Sequence, residues 1–175
     1  TGSNKQKGIS SITGRYGSNN AYMLDGSTRI PYEKGAVSAN ISTYNGDGYT
    51  LGSDTASPTV SPFKTFTAQS RWQHNWSAKW HTVLSGRYYQ QQYRSYFADA
   101  KGMVGDIGKE KDMNASLQIS NTPRKDFKQV LRLYYSRYGT DEKMIYRQDK
   151  SIYDASFFRQ RYLKPEYQAD WQLHP

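Results

Sequence analysis

The sequence predicts an all-β fold: about eight antiparallel strands of a transmembrane β-barrel, which form one barrel segment over residues 1–175. Three observations lead to this prediction. The composition is at once polar and rich in aromatic residues, polar and apolar side chains alternate with a period of two, and short and long connections alternate along the chain.

The composition is unusual for a soluble domain. Hydrophobic residues make up only 35% of the chain and the mean hydropathy is −0.94, which leaves little for a compact core. Aromatic residues nevertheless reach 15%, with 16 tyrosines, whereas disordered chains are poor in aromatics. A membrane barrel combines both properties, because one face of each strand meets lipid and the other a polar interior. The chain has no apolar run of about 18 residues, so no transmembrane helix is predicted.

The first four strands are predicted in residues 8–16, 21–30, 37–42 and 65–76. The first alternates weakly, and the second sets tyrosine, leucine, threonine and isoleucine against serine, aspartate and arginine. The third sets valine, alanine and isoleucine against serine and asparagine. The fourth sets phenylalanine, alanine and tryptophans against threonine, glutamine and arginine. Since successive side chains point to opposite faces, each strand has an apolar and a polar face.

The last four strands are predicted in residues 80–88, 113–120, 128–135 and 163–173. The final one is clearest, with leucine, proline, tyrosine, alanine and tryptophan opposite lysine, glutamate, glutamine and aspartate. About ten residues per strand is the length that a tilted strand needs to cross a bilayer. A soluble antiparallel sandwich also alternates and is the alternative. We favour the barrel because a sandwich would need larger aliphatic residues inside, and because its tryptophans would not gather at one set of turns.

The connections predict short periplasmic turns and longer extracellular loops. Short turns are expected at 31–35, 75–79 and 121–126, and longer links at 46–62, 93–111 and 139–153; the short link 17–20 breaks the alternation. On this assignment two aromatic girdles mark the membrane interfaces. The lower girdle is Tyr32, Trp76, Trp80, Phe127 and Trp171, and the upper girdle is Tyr16, Tyr44, Tyr88, Tyr135 and Tyr138.

Four short stretches carry a family resemblance. They are residues 7–9 (KGI), 14–19 (GRYGSN), 33–35 (EKG) and 45–49 (NGDGY). In this order and spacing they resemble the first barrel strands of TonB-dependent outer-membrane receptors, just after the plug domain. The resemblance lies in the order of strands and loops along the chain, and none of its motifs is chemically specific.

The resemblance implies a fragment of a larger barrel of roughly 22 strands in the outer membrane of a Gram-negative bacterium. A plug domain and a TonB-binding segment, absent from residues 1–175, are then expected partners, and the expected ligand is a scarce nutrient such as an iron chelate, haem or a vitamin. Because eight strands is an even number, a self-contained barrel with an adhesive or structural role is the alternative. For a receptor segment we expect no hydrogen bonds between the segments at Ile9 and Tyr167.

Candidate ligand-binding residues lie in the expected lumen and outer loops. Arg71, Arg87 and Arg132 are expected to point into the lumen with Lys164, Glu166 and Asp170, where they contact a plug or an anionic substrate or simply form cross-strand ion pairs. Tyr49 and Tyr96 are the candidates in the outer loops, since loops on a rigid scaffold often carry recognition. Basic residues of those loops are candidates for lipopolysaccharide phosphates, with a solvated surface as the alternative: Lys109, Lys111, Lys143, Arg147 and Lys150.

Other functions find no support in the sequence. The three histidines, His74, His81 and His174, lie at expected periplasmic ends, and neither they nor any other group has the spacing of a metal site. No cofactor motif, catalytic triad or cysteine nucleophile is present, so we predict no enzyme activity and no cofactor. The net charge of +9 is spread over strand faces and loops without a nucleic-acid motif, which argues against a nucleic-acid partner.

Overall fold

The structure is a computed structural model that describes residues 7–51 and 59–172, and this part of the chain is all β. The strands are β1 (Ile9–Tyr16), β2 (Tyr22–Tyr32), β3 (Gly35–Gly46), β4 (Phe63–Asn75), β5 (Trp80–Asp99), β6 (Gly102–Arg124), β7 (Phe127–Tyr146) and β8 (Ile152–Trp171). Within the described ranges there is no helix that is long and apolar enough to cross a membrane.

All eight strands belong to one antiparallel sheet, and each strand pairs with the next one along the chain. The predicted all-β antiparallel fold is therefore confirmed. The alternative of a two-sheet sandwich is wrong for the described residues, because they contain no second sheet against which the first packs.

The register divides the side chains into two faces. Residues paired directly across strands lie on the same face. One row across the whole sheet is mainly polar and consists of Ile9, Arg29, Ser38, Arg71, Ser85, Ser116, Tyr134 and Lys164. The next row, on the other face, is apolar and consists of Ile30, Val37, Trp72, Leu84, Leu117, Leu133 and Pro165. We call these faces the polar face and the apolar face, and they agree with the alternation predicted for all eight strands.

The sheet buries residues on its polar face. The four buried hydrophobic residues, Ala36, Val83, Val104 and Val130, all lie on that face. The described residues form one sheet and no second layer above it, so neighbouring groups of the same sheet cover these four side chains. Large residues of the apolar face stay open instead, with Ile12 82% exposed and Leu163 63% exposed.

Aromatic side chains gather where the short turns lie, which we call the turn end of the sheet. The turns there are residues 33–34, 76–79 and 125–126. The rings of Trp72, His74 and Trp76 stack or meet edge to face, and the Trp76 indole donates a hydrogen bond to Thr82 (2.9 Å). All five residues of the predicted lower girdle lie at this end on the apolar face.

The predicted upper girdle is only partly on one face. Tyr16, Tyr88 and Tyr135 lie on the apolar face, but Tyr44 and Tyr138 lie on the polar face. Tyr44 and Tyr138 occupy even-numbered positions of β3 and β7, and the even-numbered side chains of these two strands lie on the polar face. The Tyr44 ring packs edge to face against Phe63 on the polar face, with the ring centroids 4.8 Å apart.

The prediction of long loops is wrong for two of the three links, because most of their residues belong to strands. Residues 93–111 form a hairpin in which β5 and β6 pair up to a turn at residues 100–101, and residues 139–153 contain the ends of β7 and β8. Strands β5 to β8 are therefore 20 to 23 residues long, about twice the predicted length, whereas β1 to β4 have 8 to 13. The turn at residues 100–101 is followed by Gly102, which adopts a positive φ of 136°. We call this the loop end.

The first and last strands of the sheet are not paired with each other. The hydrogen-bonded order runs from β1 to β8 without closing, as we expected for the segments at Ile9 and Tyr167. Every residue of β1 is exposed, and in β8 only Glu166 is half-buried. Both edges thus leave backbone donors and acceptors open to a neighbouring strand.

Candidate ligand-binding groove

Arginines from three strands, β2, β4 and β5, converge on the middle of the polar face. Arg29 of β2 and Arg71 of β4 lie in one row, separated by Ser38 of β3. Arg87 of β5 lies two residues beyond Ser85, the partner of Arg71, and is its diagonal neighbour on the same face. The antiparallel register therefore brings together arginines that are 16 to 58 residues apart in sequence.

These arginines line an open groove of about 630 Å³. The groove offers hydroxyl and amide groups beside the guanidinium groups, from Ser27, Ser38, Asn40, Gln69, Ser85, Asn114, Ser116 and Tyr134. Several of these groups already bond to one another: the hydroxyls of Ser85 and Ser116 are 2.7 Å apart, and the Gln69 amide donates to Asn40 (3.2 Å). Such a surface suits a hydroxylated ligand with negative charge.

Positive charge in the groove is only partly balanced. Arg87 lies 3.7 Å from the Asp112 carboxylate, and Asp25 accepts a hydrogen bond from the Asn40 amide (3.0 Å). Within the described ranges, neither Arg29 nor Arg71 has a carboxylate within 4.0 Å. Guanidinium groups without a partner are free to donate paired hydrogen bonds to a carboxylate or phosphate.

Arg132 lies on the same face but outside this groove. Its guanidinium donates to Glu166 (2.6 Å), Gln118 (3.1 Å) and Gln168 (3.2 Å). Lys164 lies 3.2 Å from the same Glu166 carboxylate. Of the two interpretations that the sequence left open, cross-strand ion pairing therefore describes Arg132 in this structure.

The two tyrosine candidates lie away from the arginines. Tyr49 lies in the connection between β3 and β4, where it forms an isolated antiparallel bridge with Val60 and is 42% exposed. Tyr96 belongs to the long part of β5 on the apolar face, next to Gly105, and the Arg147 guanidinium lies 5.1 Å from its ring centroid. The structure thus brings Arg71 and Arg87 together and leaves Arg132, Tyr49 and Tyr96 elsewhere.

Arg29, Asn40 and Asn114 are groove residues that the sequence did not single out. The alternation in β2 already placed Arg29 on a polar face, but which residue of β3 or β4 it faces depends on the register. The turn at residues 33–34 sets the register of β2 against β3, whereas β3 and β4 are joined by a long connection between Gly46 and Phe63. The length of the first turn was the signal that could have placed Arg29 opposite Ser38.

Acidic residues lie on the polar face towards the loop end. The Tyr93 hydroxyl donates to Glu142 (2.8 Å), and burial together with this bond raises the pKa of Tyr93 to about 12. Burial also raises the pKa of the Asp106 carboxyl, and one of its oxygens is buried without a hydrogen-bond partner. The polar face is therefore basic in its middle and acidic towards the loop end.

The described histidines lie on opposite faces. His74 stacks between Tyr32 and Trp72 on the apolar face, with its Nδ1 2.9 Å from the Tyr32 hydroxyl. His81 lies on the polar face and its Nδ1 is 2.7 Å from Asn75. His174 lies outside the described residues. Across residues 7–51 and 59–172 no group of three or more histidine, aspartate or glutamate side chains is arranged to hold a metal ion.

Comparisons with known proteins give no relative. Protein-family models, curated proteins and solved structures were searched, and none matches this chain.

Proposed function

We propose that this chain forms part of an outer-membrane β-barrel receptor of the TonB-dependent type, which imports a scarce nutrient. On this proposal the apolar face meets lipid and the polar face lines the barrel interior. The arginine groove then lies on the ligand's route, and the unpaired edges continue into further strands.

The distribution of tryptophan is the observation that carries this proposal. All four tryptophans of the chain lie on the apolar face, and Trp76, Trp80 and Trp171 lie at its turn end. They are 60%, 49% and 64% exposed. A surface this rich in exposed aromatic and aliphatic residues is unfavourable in water, whereas tryptophan is favoured at membrane interfaces.

The height of the apolar face supports the same proposal. On β5 it extends from Trp80 through Leu84 to Tyr88. Eight steps of about 3.4 Å give roughly 27 Å along the strand, and a tilt of about 40° lowers this to roughly 21 Å. That is close to the apolar band of about 25 Å in outer-membrane barrels. Beyond Tyr88 the same face continues with Gln90, Gln92 and Arg94, which suit water or headgroups.

The open edges favour a larger barrel over a self-contained one. An eight-stranded barrel pairs β8 with β1, and a fully exposed edge strand invites pairing with another strand. The plug domain and the TonB complex are partners that we propose from the family resemblance alone. The intact mass of the native protein separates the alternatives: several times 20.1 kDa supports the receptor, and a mass near 20.1 kDa supports the small barrel.

Depth-dependent quenching of tryptophan fluorescence tests the membrane part of the proposal. Variants that keep one tryptophan are reconstituted into vesicles whose lipids carry bromine near the carbonyl or deep in the chain. We expect deep bromines to quench Trp72 most, and shallow bromines to quench Trp80 and Trp171 most. As a control, the variant Tyr134→Trp places the single tryptophan on the polar face, where neither set of bromines is expected to quench it. If acrylamide dissolved in the aqueous phase quenches the tryptophan equally at all positions, all of them face water and the proposal is contradicted.

Uptake assays test the receptor part. Cells that express the native protein are offered ferric citrate labelled with iron-55, labelled haem and labelled vitamin B12, with and without a protonophore. We expect energy-dependent uptake of one of these ligands. The double substitution of Arg71→Gln and Arg87→Gln is expected to reduce that uptake. No energy-dependent uptake of any of the three contradicts the nutrients named here.

A further inference from the structure

Charged residues beyond the apolar band are sorted by sign between the two faces. On β6, Lys109 and Lys111 lie on the apolar face, while Glu110 and Asp112 alternate with them on the polar face. On β7, Lys143 and Glu142 likewise point to opposite faces, whereas Asp141 is an exception that shares the face of Lys143. Random placement of charges on a solvated strand has no reason to follow the two-residue period.

Cations lie on the apolar side of five neighbouring strands towards the loop end. This basic rim consists of Lys64, Arg94, Lys109, Lys111, Lys143 and Arg159. Five of its members are exposed, and Lys109 is half-buried. Asp141 is an acidic residue on the same side, and it is paired with Arg159. On β4 to β6 the rim begins one row beyond Tyr88 and Met113, and on β7 and β8 two further cations of the same face, Arg137 and Arg161, lie in that row itself.

Part of the rim surrounds a groove of about 780 Å³ that opens on the apolar side. Lys64, Arg94 and Lys109 line it together with the Tyr16 and Tyr22 rings. Among the residues that the structure describes, none of these three cations has a carboxylate within 4.0 Å. Asp47 also lines the groove, and its carboxylate accepts a hydrogen bond from the Asn20 amide (2.6 Å).

A buried acceptor lies in the same groove. Asn45 is only 8% exposed and its amide donates to Thr43 (3.2 Å), but its Oδ1 has no hydrogen-bond partner. An acceptor left without a donor is costly, and a hydroxyl or amide N–H of a bound molecule satisfies it. The groove therefore combines cations, an acceptor for a sugar hydroxyl and aromatic rings beside the apolar band.

We infer that the basic rim binds a lipid-anchored phosphorylated saccharide, the headgroup of lipopolysaccharide, with its phosphates on Lys64, Arg94 and Lys109. This inference rests on the proposed function, because it requires the apolar face to be in the membrane. A headgroup at this height places its acyl chains along the apolar face and its sugar phosphates at the rim. Each cation near an anionic membrane surface strengthens binding.

Native mass spectrometry of the purified protein in detergent tests this inference. The probes are lipid A with both sugar phosphates, the same lipid after removal of its phosphates, and inorganic phosphate. We expect the phosphorylated lipid to bind, and replacement of Lys64, Arg94 and Lys109 by glutamine to weaken its apparent affinity about tenfold or more. Higher salt lowers the affinity of the unsubstituted protein, because exposed charges are screened.

The matched control removes three positive charges at the opposite end of the sheet. Lys34, Lys79 and Lys125 lie in the short turns, and their replacement by glutamine is expected to change the affinity by less than about twofold. Equal weakening in both variants overturns the inference, since it shows a general effect of net charge. Equal binding of phosphorylated and dephosphorylated lipid, or displacement by inorganic phosphate at similar concentration, also overturns it.

Fluorescence quenching by brominated lipids separates this inference from the proposed function. Both glutamine variants are expected to insert as the unsubstituted protein does. If insertion occurs and the rim variant still binds phosphorylated lipid fully, the inference alone is wrong. If no insertion occurs in any variant, the proposed function is wrong and the inference is overturned with it.

Discussion

Arg71 and Arg132 lie on the same face of the sheet but differ in what surrounds them. The sequence placed both on a polar face correctly, because strand alternation fixes the side from which each side chain projects. It did not separate a free arginine from a paired one. That distinction depends on Glu166, which is 34 residues from Arg132 and reaches it only through the register of β7 and β8.

Replacing Arg132 is expected to cost more stability than replacing Arg71. Arg132→Gln leaves Glu166 with Lys164 as its remaining ion-pair partner, whereas Arg71→Gln removes no ion pair among the described residues. Both partners of the Arg132 pair are 40% exposed, so screening by solvent keeps this loss small. Urea unfolding of each variant in detergent measures the difference. Equal midpoints for Arg71→Gln and Arg132→Gln contradict the assigned ion pair.

Tyr93 gives a prediction for alkaline pH. Its pKa in the folded protein is about 12, above the usual value of 10, so the folded state holds the tyrosine proton more tightly than the unfolded state. The stabilisation is complete below about pH 10 and is lost as the pH rises towards 12.

We therefore expect Tyr93→Phe to destabilise the protein by about 1 kcal/mol near neutral pH, through loss of the Glu142 hydrogen bond. The difference from the unsubstituted protein is expected to shrink between pH 10 and pH 12. Unfolding midpoints across this range measure it. As a control, Tyr49→Phe removes a hydroxyl in the β3–β4 connection, away from Glu142, and is expected to leave the stability near neutral pH unchanged. A difference that stays constant up to pH 12 contradicts the interpretation.

At the scale of the strand, the sequence predicted position and facing well but not length. The alternation of β5 was evident over residues 80–88, where apolar residues mark one face. Beyond Tyr88 both faces become polar or aromatic, so the two-residue period in hydropathy disappears although the strand continues to Asp99. Pairing with β6 holds this part of β5, and such pairing is not visible in the hydropathy of either strand alone.

A glycine shows how the extended hairpin is held together. The Tyr93 ring lies over Gly108 on the neighbouring strand, and a Cβ atom there would overlap the ring. The ring then reaches Glu142 on β7, so Tyr93 connects three strands. Gly108 is thus a requirement of cross-strand packing and not of backbone conformation.

Gly108→Ala is expected to destabilise the loop end by about 1–3 kcal/mol, because the Tyr93 ring must move. Gly86→Ala on β5 is the matched control, since a Cβ there has its nearest neighbour, the Asn114 carbonyl oxygen, at 3.7 Å. Hydrogen exchange of β5 and β6 amides measures the effect. We expect faster exchange in residues 91–110 for the Gly108 variant only. Equal exchange in both variants contradicts the packing role of Gly108.

At the scale of the whole molecule, a single sheet with two chemically different faces cannot bury either of them by itself. Composition and alternation predicted these faces from the sequence, because they are local properties. The register that aligns residues of different strands is a property of the assembled sheet, and so is the separation of β1 from β8. The apolar face therefore needs a partner that covers it, and on the proposed function that partner is lipid.

Spin-label accessibility along β5 tests most directly whether lipid covers that face. Because the chain has no cysteine, single cysteines at successive positions from 82 to 88 can each carry a nitroxide after reconstitution into vesicles. We predict that oxygen, which concentrates in lipid, collides most with labels at 82, 84, 86 and 88. A water-soluble nickel chelate is expected to collide most with labels at 83, 85 and 87. High nickel accessibility at the even positions, or no two-residue period, contradicts a lipid-facing apolar surface.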